Sequence, residues 1–66
     1  NAVAPGAVNT KMIGHFNEDE ITNIAEEIPM ARLAEPIEIA NAVSFLTSER
    51  SSYITGEILN VNGGWF

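Results

Sequence analysis

Few side chains in this 66-residue chain are equipped for acid–base or ligand chemistry. They include one histidine, His15, one tyrosine, Tyr53, an acidic run, Glu18-Asp19-Glu20, and a second acidic pair, Glu26-Glu27. Cysteine is absent, which excludes disulfide scaffolds and Cys-based zinc or iron–sulfur sites, and one imidazole makes no histidine cluster. Consecutive carboxylates on a helix do not share a face, so the acidic run reads as a helix start rather than a metal site. Glu26-Glu27 makes no better metal site, and His15, next to the acidic run, reads as a surface or lid residue rather than a proton carrier. Two further features act through the backbone. Pro5-Gly6 fits the central positions of a type II turn, in which Pro fixes φ and Gly supplies φ > 0. Thr10 can cap a short segment over residues 11–16.

The elements that position these groups follow from spacing. Asn1-Ala2-Val3-Ala4 is a small apolar run that fits the end of a buried strand, stopped by Pro5-Gly6. Asn17 and Glu20 form a capping-box pattern, and Ile21, Ile24, Ala25 and Ile28 recur at i, i+3, i+4 and i+7. This predicts a first amphipathic helix that Pro29 ends. Residues 30–35 read as a connector. Pro36 suits the first position of a second helix, with Glu35 an indifferent cap but a favourable charge at that end. Ile39, Ala42, Val43 and Leu46 share its inner face, whereas Ile37 and Phe45 fall among the polar positions and predict a second buried contact. Residues 51–56 read as a loop, residues 57–61 as a strand with Leu59 and Val61 on one face and Ile58 on the other, and Asn62-Gly63-Gly64 as its stop. Two strands separated by helices indicate the α/β class, although two strands do not make an independent doubly wound sheet.

Three basic residues against nine acidic ones, net charge -6 and pI near 4.3, argue against nucleic acid or an anionic membrane surface as partner. An apolar content of 45% with 18% charged residues is that of a globular chain rather than a disordered one. No stretch is apolar for long enough to span a bilayer and the first residues lack a signal-peptide layout, so the expected setting is cytoplasmic. A first residue of Asn rather than Met points to a cut or processed chain.

The order of motifs carries a resemblance. Asn1-Ala2-Val3-Ala4-Pro5-Gly6 and then Thr10 resemble the segment after the sixth strand of short-chain dehydrogenases/reductases. Arg32-Leu33-Ala34-Glu35-Pro36, Ile39-Ala40-Asn41-Ala42-Val43-Ser44-Phe45-Leu46, Ser52-Tyr53-Ile54-Thr55-Gly56 and Val61-Asn62-Gly63-Gly64 follow in that family's order and spacing. The resemblance covers the whole chain, and within the family it is most similar to 3-oxoacyl-(acyl-carrier-protein) reductases. It implies a C-terminal fragment of a Rossmann-like doubly wound parallel sheet: residues 1–66 as part of a single NAD(P)-binding domain, with residues 11–29 as its substrate lid.

The resemblance also implies roles. The Pro-Gly turn, Pro5 and Gly6, would lie beside a nicotinamide ring, the main chain of Val8 would hydrogen-bond its carboxamide, and Thr10 would contact the carboxamide or phosphates. The physical grounds are a glycine that permits close approach, a backbone donor and acceptor able to read a planar amide, and a hydroxyl near an anion site. The family's Gly-rich loop and its catalytic Ser, Tyr and Lys match nothing in these residues. Tyr53 is not that tyrosine, because Glu57 stands where the motif demands lysine and a carboxylate does not stabilise a tyrosinate. The implied activity is NADP-dependent reduction of 3-oxoacyl-acyl-carrier-protein, with NAD a possible replacement, and with the fragment inactive alone. The alternatives are a relative acting on a sugar, steroid or small alcohol, or a noncatalytic oligomerisation fragment. Implied partners are the carrier-protein-linked substrate and further copies of the chain, joined through the second helix and last strand.

Overall fold

The computed structural model describes residues 1–10 and 16–65. Its frame is a parallel pairing of two four-residue strands, β1 (Ala2–Pro5) and β2 (Ile58–Val61), in register Ala2↔Ile58 to Pro5↔Val61. Backbone bonds continue the ladder at both ends, from Ala2 N–H to the Glu57 carbonyl (2.8 Å) and from Gly6 N–H to the Val61 carbonyl (2.9 Å). Parallel strands require a long crossover, and here it holds two helices, α1 (Glu18–Glu27) and α2 (Pro36–Leu46). The α/β expectation therefore stands. β1 differs in detail from the buried strand end expected: only Val3 and Ala4 are half-buried, and Pro5 belongs to the strand.

Helix α1 starts where the capping pattern places it. The Asn17 side chain accepts from Glu20 N–H at 2.7 Å, and three acidic side chains occupy the first turn, where the helix dipole favours them. Ile21, Ile24 and Ala25 are half-buried, and Ile28, 3% exposed, is the one fully buried apolar side chain among the described residues. In α2, Ile39, Ala42 and Leu46 face inward as expected. Val43 departs from that expectation at 45% exposed, because it sits on the rim of a shallow cleft that it and Leu46 form with residues 1–3. Ile37, at 63%, and Phe45 are also exposed, so no described residue supplies their second contact.

A 3-10 turn, Glu49–Ser51, follows α2 and takes in Ser51, the first residue of the segment that reads in sequence as loop. Ser48 caps it, and the buried Ser51 hydroxyl donates to the Leu46 carbonyl (2.9 Å), with the Ser48 carbonyl at 3.0 Å. Further on, the Asn1 side chain spans the approach to β2, donating to the Ile54 carbonyl (3.1 Å) and accepting from Glu57 N–H (3.0 Å).

After α1 the chain reverses in a turn closed by Ala31 N–H on the Ile28 carbonyl (2.7 Å), with Pro29 in the position proline favours. Ala31 then adopts φ 61, a left-handed conformation that a Cβ disfavours. Replacing Ala31 with Gly removes that clash and adds some chain entropy to the unfolded state, for a net gain of about 1 kcal/mol. Chemical denaturation of the full-length protein is expected to show a higher midpoint for Ala31→Gly, and a lower one would contradict the strained assignment.

Candidate functional site

Both strands end at one edge, β1 at Pro5 and β2 at Val61, so residues 6–9 and 62–65 lie just beyond the carboxyl ends of a parallel pair. Open α/β sheets bind ligands at this edge. Pro5 closes β1 with its side chain exposed. Gly6 does not take up the positive φ that a type II turn requires at its second central residue; among the described glycines that conformation belongs to Gly56, Gly63 and Gly64. The need for glycine at position 6 is steric. A Cβ there would stand 2.7 Å from Asn62 Cβ and 2.9 Å from Asn62 Cα. The missing side chain thus makes room for the neighbouring turn, a requirement that local turn geometry does not express.

Val8 forms an isolated parallel bridge with Ala34. The bonds that make it come from its neighbours: Ala34 N–H donates to the Ala7 carbonyl (3.0 Å) and Asn9 N–H to the Ala34 carbonyl (2.8 Å). Successive backbone groups of an extended chain point to opposite edges, so Val8's own N–H and C=O face away from residue 34. No described residue bonds them. One donor and one acceptor side by side on an open edge match the acceptor and donor of a primary carboxamide. Thr10 is exposed in a bend, and the short segment it was expected to cap, residues 11–16, lies outside the described residues except for Phe16.

The segment opposite Val8 is held from behind by a clip. Arg32 grips the Glu38 carboxylate with both terminal nitrogens, at 2.7 and 2.9 Å, and Glu38 also accepts from Glu35 N–H at 2.9 Å. Glu38 is thus the acceptor that orients the start of α2, while Glu35 at the N-cap makes no side-chain cap bond. The Arg32 hydrogen bond first, then the Glu35 N–H, lower the Glu38 carboxyl to about 2. Because the pair is partly exposed, its value lies in fixing geometry more than in stability.

Two hollows flank this clip. One, about 330 Å³, lies between residues 28–34 and 60–64. The other, about 570 Å³, runs between α1 and residues 31–35, with Ile21, Ala25 and Leu33 along its wall. Neither is lined by Pro5, Gly6, Val8 or Thr10. Tyr53 is fully exposed, far from the role of a buried proton donor. Among the described residues no three acidic or histidine side chains gather as a metal site, and no helix is long and apolar enough to cross a membrane.

The family described as Enoyl-(Acyl carrier protein) reductase matches residues 1–66. The chain is 63% identical over 65 residues to the Bacillus subtilis oxidoreductase YmfI, covering 98% of this chain and 27% of that protein. It is 50% identical over 66 residues to the 3-oxoacyl-[acyl-carrier-protein] reductase FabG of Aquifex aeolicus, covering 100% of this chain and 27% of that one. The crystal structure of a 3-oxoacyl-[acyl-carrier protein] reductase from Brucella melitensis superposes with a TM-score of 0.93 at 38% identity, over 98% of this chain and 24% of the other. The chain belongs to the short-chain dehydrogenase/reductase family. It spans about a quarter of the length of the relatives it matches. The fold is accordingly that of a piece of a Rossmann-type sheet, with β1, the two helices and β2 placed as in those structures.

In this short-chain dehydrogenase/reductase chain the sequence left the Arg32–Glu38 clip unread, although Glu38 stands three residues after the N-cap, where a capping box puts its acceptor. The clip has a direct readout. A depressed carboxyl favours the folded form above the ordinary carboxylate range near 4.5, and that contribution is lost as pH falls toward 2. Carboxyl-carbon NMR should therefore place the Glu38 midpoint near 2. Arg32→Gln should raise it toward the ordinary range, whereas a wild-type midpoint of about 4 would contradict the clip.

Proposed function

We propose that these residues are the C-terminal part of an NADP-dependent oxidoreductase that reduces 3-oxoacyl-acyl-carrier-protein to the 3-hydroxyacyl form in fatty acid synthesis. The observation that carries the reading is the open Val8 edge, a backbone donor and acceptor just past the ends of two parallel strands. The substrate class is supported by the Aquifex aeolicus and Brucella melitensis relatives, whose names specify 3-oxoacyl-carrier-protein reduction.

In this reading the main-chain N–H and C=O of Val8 hold the carboxamide of the nicotinamide. Pro5, exposed at the end of β1, flanks the ring, and Gly6 lets the chain pass from β1 to Val8 while packed on Asn62. The Thr10 hydroxyl lies two residues further along and contacts the carboxamide or a phosphate. The nicotinamide supplies hydride when bound. The chain's own contribution is to fix the ring's amide edge, and so which face of the ring meets the substrate.

No residue in this segment takes the proton-transfer role, and the segment alone is inactive; the family's Ser, Tyr and Lys belong to the remaining part of such an enzyme. Residues 11–29, which include α1, form the substrate lid. The choice of NADP over NAD is made outside these residues, where the adenosine ribose is read. Exposed Ile37 and Phe45 on α2 and Ile58 on β2 form the surface through which copies of the protein associate. The enzyme works in the cytoplasm.

The test uses the full-length protein with acetoacetyl thioesters and NADPH or NADH. NADPH oxidation that depends on the acetoacetyl thioester supports the reading, whereas NADPH oxidation with an enoyl thioester alone, or reduction of NADP+ or NAD+ by a polyol in place of the thioester reaction, would overturn the substrate class. Val8→Pro deletes the free donor without touching the bonds of the Ala34 bridge. Loss of one such bond should weaken nicotinamide cofactor binding about tenfold, with Val8→Ala as the unaffected control. Equal affinity in Val8→Pro would remove the proposed contact.

A further inference from the structure

The turn after β2 touches two regions that are distant in sequence. Asn62 accepts twice, at its side-chain oxygen from Gly64 N–H (3.0 Å) and at its carbonyl from Trp65 N–H (3.1 Å). Gly63 and Gly64 carry φ of 63 and 90, the doubly positive pair of a type I′ turn. One side of this turn meets the strand end, where Asn62 occupies the space a Gly6 side chain would fill. Its other side meets the exit of α1. The Gly63 carbonyl accepts from Met30 N–H at 3.2 Å. A Cβ on Gly63 would lie 3.0 Å from Ile28 Cγ2, and one on Gly64 would lie 3.1 Å from Pro29 Cγ.

These contacts leave little slack. Ile28 is the most deeply buried apolar side chain described, and Pro29 is a rigid ring, so neither yields easily to an added methyl group. On the other side, Gly6 is tied to β2 through the Val61 carbonyl and is two residues from the open Val8 edge. A displacement of the turn must therefore move the α1 exit, the residue 6–8 backbone, or both.

We propose that the turn at residues 62–65 is a positioning element that sets the spacing between the Val8 edge and helix α1, and so links cofactor binding to substrate binding. This rests on the reading of Val8 as the nicotinamide contact. Gly63 and Gly64 act through their neighbours and touch neither ligand. Their backbone conformation and their lack of side chains hold the turn between Gly6 and Pro29.

The experiment is a double-mutant cycle in the full-length protein with Gly64→Ala, which presses on Pro29 and strains a backbone at φ 90, and Gly6→Ala, which presses on Asn62. The two substituted sites face opposite sides of the turn. Gly64→Ala alone should raise the acetoacetyl-thioester KM about fivefold with a smaller change in kcat and weaken NADPH binding about threefold, and the two substitutions should be non-additive by about threefold in NADPH affinity. Pro29→Ala removes the Cγ and Cδ that a Gly64 side chain would meet at 3.1 and 3.7 Å and keeps the Cβ at 3.2 Å, so combined with Gly64→Ala it should restore a small part of both losses. An NADPH affinity unchanged by Gly64→Ala, or strict additivity in the cycle, would overturn the proposal.

Amide hydrogen exchange without cofactor separates this outcome from failure of the Val8 reading. In Gly64→Ala, exchange should accelerate together at Met30, whose N–H bonds Gly63, and at Gly6, whose N–H bonds Val61. Acceleration at Met30 alone would overturn the linkage even if the wild-type protein bound no nicotinamide. Should Gly64→Ala fail to fold, Pro29→Ala loosens the same contact and is read by the same exchange measurement.

Discussion

The parallel pairing of β1 with β2 is the constraint on which the rest depends. It joins the first residues described to nearly the last and fixes both strands to end at one edge. A parallel partner cannot be reached by a tight turn, so the intervening chain must travel the length of the strands and return. The two helices make that return, and the backbone leaving β1 and β2 emerges side by side. The Val8 edge lies in one of these exits and the double-glycine turn in the other.

A second layer of support comes from behind the edge. Glu38, near the start of α2, grips Arg32, and Arg32 belongs to the same short segment as Ala34. Ala34 bridges to Val8 by engaging the carbonyl of Ala7 and the N–H of Asn9. The ion pair is partly exposed and contributes little stability. Its bidentate geometry instead orients the strip that consumes the neighbours' hydrogen-bonding groups and leaves Val8's own pair outward. Helix α2 therefore acts on the site without touching it.

Local signals were legible in the sequence, and long-range ones were not. The Asn17/Glu20 cap, the Ile21, Ile24, Ala25 and Ile28 stripe, Pro29 as a stop and Pro36 as a start each depend on residues within one or two turns, and each appears in the structure. The alternation at Ile58 and Leu59 likewise reports the sheet's two faces. By contrast, the reason for glycine at position 6 lies at Asn62, and no local rule distinguishes a turn glycine from one that makes room for a distant side chain. The Val8–Ala34 bridge is a single pairing with no periodicity to announce it. The buried Ser51 hydroxyl satisfies helix-end carbonyls that a loop reading does not count. Exposed Val43 shows the limit of face arithmetic, which gives direction but not what covers a side chain.

The proposed nicotinamide contact rests on the bridge to Ala34, which turns the Val8 N–H and C=O away from residue 34, where no described residue bonds them. A crystal structure of the full-length protein with bound nicotinamide dinucleotide measures this directly. The account predicts Val8 N and O each within about 3.2 Å of the carboxamide, at ordinary hydrogen-bond distance. A ring seated elsewhere, with both Val8 groups facing solvent or bonded to protein, would contradict it.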